Sequence, residues 1–167
     1  MKKFIAILLS LIFVLSTAGC GNTNNPSNEN QNGTTASTPA QMVFSDFKEI
    51  IKNKNMSASE IAKAVIGGED IPFSGASAEV EPGYLNGFSG EITGFSEGAS
   101  FGPLIGSIPF IGYIFKLDTG ANTEDFIKIL KDNADLRWNI CTEADEMLCE
   151  AVDNTVFFVM APASFED

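Results

Sequence analysis

Between Glu97 and Lys116 the chain runs for eighteen residues without a charge, GASFGPLIGSIPFIGYIF. Eighteen is the lower edge of the length that crosses a hydrocarbon core as a helix. Gly98, Gly102 and Gly106 recur every four residues, as small residues do where membrane helices pack. Pro103 and Pro109 oppose that reading, because each removes a backbone donor and breaks a helix. The run is therefore expected to form two strands joined by a turn at "LIGSI", with a membrane-inserting segment over residues 98–115 as the rival. Its second half, "PFIGYIFKLD" from Pro109 to Asp118, is aromatic and β-branched on both faces up to Phe115. Such a strand belongs in the middle of a sheet covered on both sides.

The neighbouring segments supply the cover. "FSDFKEIIKNKN" places Phe44, Phe47, Ile50 and Ile51 on one face, and Ser45 is placed to cap a helix from Asp46 to about Asn53. "SASEIAKAVIGG" has Ser57 and Glu60 at capping-box spacing, Ile61, Ala64 and Val65 as a stripe, and Gly67-Gly68 as a stop. "GEITGFSEGASFGP" reads as an irregular strand with bulges at its glycines. "ANTEDFIKILKDN" is a helix capped by Thr123 or Asn122, with Phe126, Ile127 and Leu130 inward. After the turn signal "VDNTV", Thr155 to Met160 is a branched and aromatic strand that Pro162 ends.

The chain begins MKKFIAILLSLIFVLSTAGC. Lys2 and Lys3 precede an apolar run from Phe4 to Leu15, interrupted only by Ser10, and small residues lead to Cys20. A charged start, a short apolar core and small residues at a cut site make a secretory signal peptide. The run is too short to span a bilayer, which needs roughly 20 residues. Its end, Thr17-Ala18-Gly19-Cys20, resembles the lipobox of bacterial lipoproteins, with Thr17 where Leu or Val is more usual. The resemblance covers the first 20 residues. It implies cleavage before Cys20 and a diacylglycerol on its thiol, and two acyl chains hold a protein where one lets go. Together with a polar tether and the closing "TVFFVMAP", it loosely resembles small uncharacterised lipoproteins of clostridium-like Gram-positive bacteria. That class implies the outer face of the cell membrane and no activity.

Residues 21–40, GNTNNPSNENQNGTTASTPA, hold one charge, Glu29, and no apolar side chain larger than Ala or Pro. Such a stretch cannot bury enough surface to offset its ordering entropy, and reads as a flexible spacer. The organisation expected is a signal peptide over 1–19, the lipidated cysteine and linker over 20–40, and one α+β domain over 41–167. Within the domain, N-terminal helices and one further helix pack on a mostly antiparallel sheet.

Composition removes several functions. Without Lys2 and Lys3 the chain has 8 basic against 22 acidic residues, so neither nucleic acid nor a polybasic membrane contact fits. The absence of histidine excludes Ser-His-Asp and Cys-His catalysis and His-containing zinc sites. Cys141 and Cys149 close a nine-residue loop and could pair outside the cell if their Cα atoms lie within about 7 Å. Free thiols are the alternative. Glu143, Asp145, Glu146, Glu150 and Asp153 form an acidic cluster, the natural place to look for a hard cation, but without EF-hand order. "DTGANTEDFIKI" fails that order as well, with Gly120 third and Ile129 twelfth. Trp138 reads as a core anchor. No catalytic residue, metal or cofactor is assigned. The function expected is a lipid-anchored, non-catalytic binding module outside the membrane, its partner an envelope protein, a cell-wall component or a solute. The alternative is an envelope enzyme using carboxylates or a cation on wall polymer.

Overall fold

A computed structural model describes residues 37–165. The signal segment, Cys20 and the spacer through residue 36 lie outside them. The elements in order are α1 (Pro39–Ile50), α2 (Ala58–Ile66), β1 (Gly75–Val80), β2 (Gly83–Tyr84), β3 (Glu91–Ile92), β4 (Phe95–Pro103), β5 (Ile111–Leu117), α3 (Thr123–Asn133), β6 (Glu146–Val152) and β7 (Thr155–Ala161). The fold is α+β: five strands form one sheet in the order β1-β4-β5-β7-β6, every neighbouring pair antiparallel. β2 and β3 form a separate two-stranded ribbon.

The uncharged run forms β4, a connection and β5, and β5 is the central strand. Among the described residues no helix is long and apolar enough to cross a membrane. Every residue of β7 is buried, and all of β5 except Lys116. Strands like these need cover on both faces, and alternation along them divides the core in two. Ile114, Phe157 and Val159, with Phe101 of β4, meet Val43 and Phe47 of α1 and Ile61 and Val65 of α2. Tyr113, Phe115, Phe158 and Met160 meet Phe126 and Leu130 of α3, with Phe88, Ile92 and Phe95 from the β2–β4 region. Aromatic contacts bind each layer. Phe47 lies 5.1 Å from Phe157, and Phe95 lies 4.8 Å from Phe115. A bulge between Phe95 and Glu97 turns Phe95 into the second layer.

α1 departs from expectation. It starts at Pro39, not Asp46, inside the segment read as spacer. Thr38 is its N-cap, in a reciprocal capping box with Gln41, and Pro39 occupies the first turn, where a missing N–H is harmless. Ala40, Val43 and Phe47 form its buried stripe, and Ser45 lies exposed within the helix. α2 uses the expected Ser57–Glu60 box, but Ala62 takes the fully buried place foreseen for Ala64. Asn122, not Thr123, caps α3, accepting from the N–H groups of Glu124 and Asp125. β6 has no counterpart in the sequence reading.

Cross-strand pairing also fixes where glycine must stand. Gly112 of β5 is opposite Phe101 of β4, and a Cβ there would overlap the Phe101 ring. Adding atoms to a filled site costs about 1–3 kcal/mol. Gly112→Ala is expected to lower unfolding stability by that amount in urea titrations. In a Phe101→Leu background the penalty should shrink, since the two sites share the strained space.

Candidate functional site

The two helical layers are unequal. α1 and α2 pack across β1, β4, β5, β7 and β6 on one face, whereas α3 on the other lies over β6 and β7 and touches Phe115 of β5 and Phe95 of β4 through its Phe126 ring. Over β1 and β4 that second face is left open, and there the side chains are small. Ala76 and Ala78 of β1 are exposed, and Ser100 and Gly102 of β4 pair with them across the ladder. They floor a cleft of about 600 Å³. Trp138 to Cys141, the β4–β5 connection at Gly106 and Ile108, and Asn86 wall it.

Hydrogen bonds hold the walls. Asn139 Nδ2 donates to the Gly106 carbonyl at 2.5 Å, tying the two loops together. Tyr113 Oη donates to the Asn86 carbonyl at 2.7 Å, and burial pushes that phenol's pKa above its ordinary value. Ser100 Oγ donates to the Ala78 carbonyl at 3.3 Å. Trp138 is half-buried, packing against the second core while lining the cleft, so the anchor role holds and a second role adds to it. No Asp, Glu, Lys or Arg lines this cleft among the described residues. Its mouth carries exposed aliphatic side chains: Ile140 is 100 % exposed, and Ile105 and Leu104 on the adjoining connection are 72 % and 66 %.

Carboxylates gather elsewhere. A second cleft, about 550 Å³, lies at the start of α2 with Glu79, Glu81 and Glu97 on its wall. Glu97 Oε2 accepts the Ala58 N–H at 2.9 Å and lies 3.6 Å from Lys116 Nζ. It therefore satisfies a helix N-terminus and pairs with the one cation inside the β5 layer. The acidic cluster foreseen around β6 does not converge. Glu143 pairs with Arg137, Asp145 accepts from the Ala163 N–H, Glu146 from the Ala40 N–H, and Asp153 pairs with Lys54. Glu146 and Asp153 sit at opposite ends of β6, on the order of 20 Å apart at the strand rise. Among the described residues no three acidic or sulfur ligands are grouped to hold a metal ion.

Cys141 and Cys149 are both free, the first exposed at the cleft wall and the second buried in β6 beneath α3. The pairing weighed from their spacing is not formed, because β6 points the Cys149 side chain into the second core while Cys141 lies in the loop before it. Cys20 is outside the described residues. No family model matches the chain, and no curated protein or solved structure matches it.

Two predictions follow from these groups. Burial pushes the Cys149 thiol up to about 12, and the thiolate is the reactive form. Iodoacetamide at neutral pH should modify Cys141 in the native protein and Cys149 only after unfolding, read by peptide mass spectrometry. Asp46 of α1 is held against Gly68, and its carboxyl is raised by burial first and by Asp70 second. A raised acid binds its proton more tightly folded than unfolded, so the cost of ionising it appears as pH rises from the ordinary value near 3.8 through the raised one. Asp46→Asn should raise stability at pH 7, by less than about 1 kcal/mol given its solvent exposure, and have no effect at acid pH below the carboxylate range. Denaturant titrations at both pH values check this.

Proposed function

We propose that the protein is a lipid-anchored binding module on the outer face of the cell membrane, and that the β1–β4 cleft holds its ligand. The address comes from the TAGC segment and Cys20. What carries the binding reading is the lining of the cleft: in a chain with 22 carboxylates, this concavity of about 600 Å³ has none on its wall. General acid–base hydrolysis needs a titratable group within hydrogen-bond reach of the substrate, and this cleft offers only the Cys141 thiol. A small-residue floor, one indole and the amides of Asn86 and Asn139 suit an uncharged ligand with an apolar body. A neutral wall saccharide or a neutral segment of an envelope protein has that character.

The enzyme alternative has carboxylates at two other concavities: Asp46, Glu49, Glu69 and Asp70 line one of about 390 Å³ between α1 and the end of α2, and Glu79, Glu81 and Glu97 line the one at the start of α2. There Glu97 is already committed to the Ala58 N–H and to Lys116, which favours a role in holding the fold.

Filling the cleft tests the reading. Ala78→Phe adds a ring to an exposed position on the floor and leaves both cores untouched. Trp138 fluorescence of the intact lipoprotein should respond to soluble neutral wall fragments, and the response should weaken at least tenfold in Ala78→Phe. Breakdown of wall polymer that survives Ala78→Phe and disappears in Glu79→Gln or Glu97→Gln would instead establish the enzyme.

A further inference from the structure

The described domain begins at one end of the sheet. The N–H of Ala40, in the first turn of α1, donates to Glu146 Oε1 at 3.0 Å, and Glu146 begins β6 opposite Ala161, the last residue of β7. By the register, Ile111 and Pro103 are at that same end. The connection from Leu104 to Phe110 and the loop carrying Ile140 therefore project from the end where the chain arrives from Cys20. Sixteen residues separate Cys20 from Ser37, a span of at most about 60 Å even when fully extended.

We propose that Leu104, Ile105 and Ile140 form a bilayer contact, which dips into the interface and sets the mouth of the β1–β4 cleft at the membrane surface; this rests on the reading of Cys20 as the lipid anchor. Three observations carry it. These are the most exposed large aliphatic side chains of the described residues, and they lie on two loops joined by the Asn139–Gly106 hydrogen bond. The segments bearing them, residues 104–110 and 138–142, hold no charge, as a surface entering the headgroup region requires. The tether also enters at this end, so the anchor supplies a high local concentration and a weak insertion suffices. Of the carboxylates nearest in sequence, Asp135 accepts the Arg137 N–H, Glu143 pairs with the Arg137 guanidinium and Asp145 accepts the Ala163 N–H. Because the chain is strongly acidic, the lipid favoured is zwitterionic, and anionic headgroups oppose the contact. A second copy of the chain is the competing occupant of the same tips.

Trp138, the only tryptophan of the chain, lies two residues from Ile140 and reports on the contact directly. Full-length lipoprotein is reconstituted into phosphatidylcholine vesicles with and without brominated acyl chains, a quencher of short range. Insertion of the tips to the acyl boundary should quench Trp138 about twofold, and less in phosphatidylglycerol vesicles. The triple variant Leu104→Ser, Ile105→Ser, Ile140→Ser, altered only at exposed positions, should float with the vesicles, keep its melting temperature and lose the quenching. Detergent-phase partitioning of wild type against Cys20→Ser reads the anchor separately. Partitioning without quenching, or equal quenching in wild type and triple variant, overturns the contact alone. Failure of the wild type to partition overturns the anchor reading and the contact with it. A wild-type dimer in detergent that the triple variant abolishes, with no quenching in vesicles, assigns the tips to self-association and also overturns the proposal.

Discussion

Everything in this fold follows from burying β7 and β5 on both faces at once. β7 is wholly buried, and each of its aromatic side chains, worth about 1.5–3 kcal/mol when removed from water, needs a partner layer above or below the sheet. Phe157 finds Phe44, Phe47 and Phe101 on one side, and Phe158 finds Phe88 and Tyr113 on the other. An antiparallel sheet commonly leaves one face wet, with alternating apolar and polar residues. Here the two central strands cannot, and the outer strands adapt to them. β1, at one edge, has no residue fully buried, and β6, at the other, buries only Cys149. The sheet is dry in the middle and wet at its borders.

The cleft is a consequence of how that demand is met. Two helices cover the first face and a single helix of 11 residues covers part of the second. Where α3 does not reach, large apolar side chains would stand exposed, and β1 and β4 carry Ala, Ser and Gly on that side instead. The open shelf and the small residues are thus one feature. Its walls are loops held by single hydrogen bonds, a common way for a rigid sheet to present a binding surface.

How much of this could be read beforehand depends on how local each signal is. β5 as central strand, β7, α2 and α3 were legible because their patterns or caps lie within a few residues of themselves. The start of α1 was hidden because Thr38, Pro39, Ala40 and Gln41 share the composition of the polar segment before them; only the Thr-Pro-x-Gln spacing of a capped first turn marked the change. β6 was missed because "EMLCEAV" has two glutamates and no β-branched residue before Val152, so propensity argues against a strand. Pairing with β7 through seven positions overrides that preference. The cleft itself has no sequence signature. It joins residues 76 to 78, 86, 100 to 103, 106, 108, 110, 111 and 138 to 141, and only the strand order brings them together.

Placement of charge separates the two ends of the molecule by role. Lys116 is drawn beneath α2, where its Nζ donates to the Met56 carbonyl at 2.5 Å and faces Glu97, so the end of the sheet opposite the start of α1 is closed by polar and ionic links. Lys54 and Asp153 add an exposed pair there. At the end where α1 begins, the segments 104–110 and 138–142 are uncharged, and Leu104, Ile105 and Ile140 on them are exposed. A protein with this excess of carboxylates has ample means to cover a loop tip with charge, and isolated exposed aliphatics need no explanation. Three of them on two hydrogen-bonded loops beside a cleft without charge are a different case, because exposed apolar surface next to a concavity marks a place where something binds. The uncharged cleft and these aliphatic positions share one end of the sheet, the end at which α1 begins, so a ligand entering the cleft from that end meets an apolar rim before the indole and amides inside.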